Sequence, residues 1–245
     1  MPQSIIMQKS ILFPEQLPMS TNEFNTGTES QSFKTELKPL GITEYAEEEL
    51  KKFQVIHPIG DSFSGKGYLE DGTSYDIIAI STEESFNLAK SKDDFLYFWG
   101  SKKAIIEHGI KRLIDGTVGR GSNQYNSVPI NVNLRELKEE IEDGALAQIK
   151  GGWWRDLKIA DVEVAYLGGG TVTASKNWSS YEESEGIISA LRLDVPNPIE
   201  AQNDILSVLL TKEGNLVVYR KIETEKQLFD IAMPLFKLAK KHLIS

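Results

Sequence analysis

The sequence contains no cysteine, which removes disulfides, thiolate metal sites, iron–sulfur clusters and a cysteine nucleophile together. It leaves the redox compartment open, because a cysteine-free chain is stable in either. Histidine is nearly as scarce. His57, His108 and His242 lie far apart, with no H-x-x-x-H pair, so neither a metal site nor a cofactor is expected. No run approaches the roughly 18 consecutive apolar residues that a spanning helix needs; FLYFW at 95–99 is among the densest and far too short. The opening residues MPQSIIMQKSILFPEQLP lack the basic segment and apolar core of a secretory signal. A cytoplasmic location without a membrane partner is expected. Basic residues are in deficit, 27 against 36 acidic, for a net charge of −9. Bulk nucleic-acid binding draws on a surplus of Lys and Arg and is not expected here.

What is present suits a soluble globular chain: 245 residues, 40% of them hydrophobic, enough for a core in one large domain or two small ones. Residues 1–40 differ from the rest. Met19 to Phe33 is Ser/Thr/Asn/Glu-rich without apolar period, and residues 1–50 carry three basic and eight acidic side chains. This stretch is expected to be an acidic, loosely ordered arm, with Ile5, Ile6, Ile11, Leu12 and Phe13 available for docking on a partner.

Residues 41–128 read as a helix-and-hairpin half. Thr43 can cap a short helix to about Phe53, and QVIHPIG reads as a strand. Asp71-Gly72 is a strong hairpin signal between KGYLE and TSYDIIAI. Ser81 with Glu84 resembles a capping box for a short helix to Lys90. Ser101, an apolar stripe of Ala104, Ile105, Ile110, Leu113 and Ile114, and Gly116 delimit a further helix. TVGRGSNQYNSV at 117–128 is a polar boundary loop, and its GRGSN could hold an anion. Residues 129–245 read as an antiparallel meander with flanking helices, the alternative being one continuous domain over 41–245. Asn133 with Glu136 caps a helix whose stripe of Leu134, Leu137, Ile141 and Ile149 is interrupted at Asp143-Gly144 and stopped by Gly151-Gly152, which puts Lys150 at a helix end. DVEVAYL and TVTAS are joined at Gly168-Gly169-Gly170. IISALRLDV, ILSVLLT and NLVVYRKI follow, and Thr224 with Gln227 caps a final helix containing Pro234. The fold class is therefore α+β: a mostly antiparallel sheet, with a C-terminal meander of about five strands, packed by helices and closed by a C-terminal helix.

Catalytic motifs are weak. GDSFSGKG at 60–67 satisfies G-x-x-x-x-G-K, but Gly67 stands where a magnesium-binding hydroxyl belongs and a hairpin follows instead of a helix. Lys66 is expected not to bind nucleotide phosphates. A metal-dependent phosphodiesterase or nuclease-like hydrolase could draw on Asp76 and Lys150, because acidic ligands beside a lysine can activate a metal-bound water. Alternatively, Glu163 and Asp194 could converge around Arg192 on a polar sheet face, opposite an apolar face formed by Val162, Val164 and Tyr166 on one strand and by Ile187, Leu191, Leu193 and Val195 on the other.

Aromatic placement is more informative. Trp153, Trp154 and Arg155 follow two glycines, while Lys176, Asn177, Trp178 and Tyr181 lie in ASKNWSSYEESEG, read as an exposed loop. Tryptophan, tyrosine and arginine are the types enriched where proteins meet partners. Neighbours on a strand point oppositely, so one of Trp153 and Trp154 must be core. The expected function is non-enzymatic: a binding or accessory protein recognising a protein partner through these aromatic polar loops. A small-ligand binder with a pocket between the sheet and the final helix is a further alternative. Oligomeric state is not legible.

Overall fold

Alternation with a period of two governs most of the chain. The computed structural model describes residues 3–22, 24–25, 32–116, 124–159, 161–198 and 204–244, with the backbone alone described at 24–25, 32, 60–65 and 77–81. The strands are β1 (Gln3–Leu12), β2 (Met19–Ser20), β3 (Phe24–Asn25), β4 (Ser32–Phe33), β5 (Glu36–Tyr45), β6 (Glu48–Tyr68) and β7 (Ser74–Lys90). They continue as β8 (Phe95–Trp99), β9 (Asn126–Pro129), β10 (Gln148–Ile159), β11 (Val162–Gly168), β12 (Ile187–Pro196), β13 (Ile205–Thr211) and β14 (Asn215–Val218). The helices are α1 (Lys103–Gly116), α2 (Leu134–Asp143), α3 (Lys176–Glu183) and α4 (Glu225–Lys241). One antiparallel sheet runs in the order β11-β10-β12-β13-β14-β1-β8-β7-β6-β5-β2, with β9 also on β1, and β3-β4 stand apart. The class is α+β with a mostly antiparallel sheet, and the last helix is C-terminal.

The two faces of this sheet are covered by different helices. On one, Ile5, Met7, Phe95, Tyr97 and Trp99 join β12–β14 under α2 and α4. On the other, Ile6, Phe53, Val55, Phe86, Leu88, Leu96 and Phe98 lie under α1 through Ile106, Ile110 and Leu113. All five residues of β8 are therefore buried. Glu225, in the first turn of α4, accepts hydrogen bonds from the Tyr45 hydroxyl, from Lys52 Nζ at 2.6 Å and from Trp99 Nε1 at 3.2 Å. This one carboxylate ties the helix to β5, β6 and β8.

Several sequence expectations are corrected. Gln3–Leu12 is no loose arm: it pairs β14 on one side and β8 on the other, burying Ile5, Ile6 and Met7. It also joins the sheet of 41–128 to that of 129–245. Met19 is buried as well, while 23 and 26–31 lie outside the described residues. Thr43 to Phe53 is a β-hairpin, not a helix. Its residue types favour helix, but Leu50 packs on one face and Phe53 and Val55 on the other. The Ser81–Lys90 segment is likewise strand, since Phe86 and Leu88 face α1 and Ala89 the opposite core. TVTAS is a short 3-10 turn, and β11 lies outside β10, so residues 161–222 are not a simple succession of five neighbouring strands. Asn133 and Thr224 do cap their helices, accepting from the amides of Glu136 and Gln227.

Because β8 is packed from both sides, Phe98→Ala removes contacts that no nearby group can replace. Urea unfolding of this variant should show a loss of about 3–5 kcal/mol with an unchanged denaturant slope.

Candidate functional site

The helices leave part of the sheet bare. Along β10, Gly151 pairs with Gly168 and Trp153 with Tyr166; Trp154 pairs with Ala165 and Arg155 with Val164. Trp154 points into the helix-covered core with no exposed surface, and Trp153 therefore points the other way, half-buried. On that open side Trp153 meets the Tyr166 ring at 4.3 Å between centroids. Tyr166 lies over Gly151 and Gly168, where a Cβ would fall within 2.8 Å and 2.4 Å of its ring atoms or hydroxyl. Val164 and Ile187 flank the pair at 62% and 43% exposure. Leu209 and Val217 continue the surface across β13 and β14, paired with each other. None of these side chains belongs to either core cluster. Arg155 is exposed on the same side, as is Arg192, whose Nε donates to Ser207 at 3.0 Å. An antiparallel sheet that faces water on one side ordinarily presents polar residues there. Here the bare face carries aromatic and branched side chains edged by two arginines.

Two of these placements reverse the sequence expectation. Val162, Val164 and Tyr166 are exposed, whereas Ala165 and Leu167 pack on the core. Ile187 faces out because a register shift against Trp153 and Trp154 rotates β12 between Ile188 and Ala190, and a one-residue slip exchanges the two sides of a strand. Glu163 consequently shares the side of Ala165 while Asp194 shares that of Arg192, so the two carboxylates do not converge.

Trp178 is also corrected. It lies in α3, not in an exposed loop. Ser175 caps this helix, and Trp178 has 0% exposure. Its Nε1 donates to Glu182 at 3.0 Å, and Trp154 meets it edge-on at 5.1 Å. Gly152 permits that approach, since a Cβ there would sit 2.7 Å from the indole. Tyr181 is half-buried against Trp154, while Lys176 and Asn177 are exposed on the far side of α3.

Nor do the described residues bring the hydrolase alternative together. Asp76 is exposed and faces Lys66 across β6 and β7. Lys150 lies in β10, not at a helix end, and six strand spacings separate it from β7, roughly 29 Å at about 4.8 Å each. The G-x-x-x-x-G-K segment is paired strand instead of an open phosphate loop. Among the described residues no group of three or more His, Asp or Glu side chains could hold a metal ion; residues 117–123, including the start of GRGSN, lie outside them. The space between sheet and α4 is filled by side chains, with Phe229 stacked on Tyr45 at 4.6 Å and edge-on to Trp99 at 4.7 Å. An open groove of about 600 Å³ instead lies beside Phe13, Ile42, Lys51, Phe53 and Lys90.

One polar cluster is partly buried. His57 Nδ1 lies 2.9 Å from Thr35 Oγ1 and His57 Nε2 lies 2.8 Å from His108 Nδ1. Thr35 and His57 have 0% exposure, whereas His108, on α1, is exposed. Burial, with the nearby His108 and Arg112, pushes the His57 pKa down to about 4. No protein-family model matches the chain, and no curated protein matches it either. No helix among the described residues is long and apolar enough to cross a membrane.

Two measurements check these assignments. Trp178→Ala should lower stability by about 3–5 kcal/mol, whereas Trp153→Ala, on the bare face, should cost about 1 kcal/mol or less; thermal melts rank the two. The depressed His57 pKa means that the unfolded chain binds more protons than the folded one between pH 6.5 and 4. This stabilisation is complete above about pH 6.5 and is lost as the pH falls towards 4, on the order of 2–3 kcal/mol. His57→Gln should flatten that part of the stability profile measured by chemical unfolding.

Proposed function

We propose that this chain is a non-enzymatic binding or accessory protein that recognises a protein partner through the bare face of β10–β13. The single supporting observation is the Trp153–Tyr166 pair, held on a glycine floor and flanked by Val164, Ile187, Arg155 and Arg192. Large aromatics with few rotatable bonds and arginines are the side chains that dominate interface energetics. A fixed aromatic pair on a rigid sheet loses little conformational entropy on binding. This reading puts the recognition surface on the sheet and not on the 168–186 segment, because Trp178 is buried in the core.

Trp153→Ser/Tyr166→Ser should melt close to the wild type and lose capture of any partner the wild type retains from its native extract. Asp76→Asn and Lys150→Ala should capture normally. Metal-dependent hydrolysis of a phosphodiester such as bis(p-nitrophenyl) phosphate, abolished by Asp76→Asn, would overturn the reading in favour of a hydrolase.

A further inference from the structure

The hairpin of β6 and β7 outruns the sheet that contains it. β5 supports β6 only as far as Ile56, and β8 supports β7 only from Asn87. The two strands nevertheless stay paired from Pro58 and Glu83 to Tyr68 and Ser74. At about 3.3 Å per residue, that ribbon extends roughly 30–35 Å past its neighbours. Leu69 accepts from Gly72 across the turn, and Gly72 takes the left-handed φ of +83° that this turn requires. A two-stranded ribbon alone in water is marginally stable. This one carries the apolar run Ile77, Ile78, Ala79 and Ile80 in its sequence. Its tip exposes Tyr68 at 71%, Leu69 at 54% and Tyr75 at 51%.

The ribbon and the bare face complement each other in charge. Residues 58–83 hold five acidic side chains and one basic, with Glu70, Asp71 and Asp76 exposed around the tip aromatics. The bare face carries Arg155 and Arg192 beside its own aromatics, with Asp194 as the opposing charge. Within one molecule five strands lie between β7 and β10 in the sheet, and no strand pairing among the described residues joins the ribbon to that face.

We infer that the occupant of the bare face is the β6–β7 ribbon of a second copy of this chain. This inference rests on the reading of that face as a recognition surface and names its partner. The contact is head-to-tail: the tip of one copy meets the face of the next, leaving a free tip and a free face at the ends. Such a heterologous contact builds rings or open chains instead of a closed pair. Tyr68, Leu69 and Tyr75 supply apolar cover for Trp153, Tyr166 and Val164, while Glu70, Asp71 and Asp76 approach Arg155 and Arg192.

Sedimentation velocity of the full-length protein over a concentration series tests this. The wild type should form species larger than a dimer as concentration rises into the micromolar range. A tip variant, Tyr68→Ser/Leu69→Ser/Tyr75→Ser, and a face variant, Trp153→Ser/Tyr166→Ser, should each associate at least about tenfold more weakly. Mixed together, they retain one intact tip and one intact face, so the mixture should recover dimers and stop there. Should the face variant fold poorly, Arg155→Glu/Arg192→Glu replaces it, as both arginines are exposed. A wild type that stays monomeric throughout, or a mixture that recovers nothing, overturns the inference. In that event, capture of another protein that still depends on Trp153 would leave the proposed recognition surface standing.

Discussion

Helix supply is the constraint on which this structure depends. A sheet of this width has two faces to keep from water, and α4, the longest helix at 17 residues, spans about 25 Å, or about five strands. With α2 and α3 it covers one face from β10 to β8. That leaves α1 for the other face, where it sits over β1, β8, β7, β6 and β5. Nothing among the described residues covers the far side of β10–β13. The position of the bare face thus follows from which strands α1 shields, and its apolar composition from side chains that the fold does not use.

Polar contacts serve this arrangement by fixing where the helices sit. Glu225 gathers Tyr45, Lys52 and Trp99 at the first turn of α4, where a carboxylate also complements the helix dipole. Arg135 reaches the carbonyls of Glu182 and Gly186, and Lys138 pairs with Glu182, binding α2 to α3 over the Trp154–Trp178 contact. The aromatic pair beneath and the ion pair above hold α3 in place. Gly186 closes the same corner, its missing Cβ leaving space for Leu157.

Much of this was legible where local chemistry decides. The caps at Asn133 and Thr224, the turn at Asp71-Gly72 and the opposed directions of Trp153 and Trp154 all follow from residue type and strand geometry. Helical propensity misled where tertiary packing overrode it: EYAEEELKKF is composed of good helix formers, yet it is a hairpin turning at Ala46-Glu47, both with positive φ. Neither residue type advertises that conformation. The bare face was hidden for a different reason. Alternation in DVEVAYL shows that two sides differ, but not which one the helices cover, and the register shift that turns Ile187 outward leaves no mark in composition. The long hairpin was visible as a turn, while its reach beyond the sheet depends on where β5 and β8 stop.

The place of β1 has a kinetic consequence. Ile5 pairs with Leu216 on one side and with Trp99 on the other, partners roughly 210 and 95 positions away. The middle of the sheet therefore cannot close until synthesis has passed β14. Contacts of such high order make folding slow, because loop-closure entropy is lost before burial compensates for it. Until β14 arrives, the Gln3–Ile6 edge of β1 stays open, a state prone to pairing with other chains. The arrangement that seats β1 in the middle of the finished sheet leaves its edge the one most open to misassembly during synthesis.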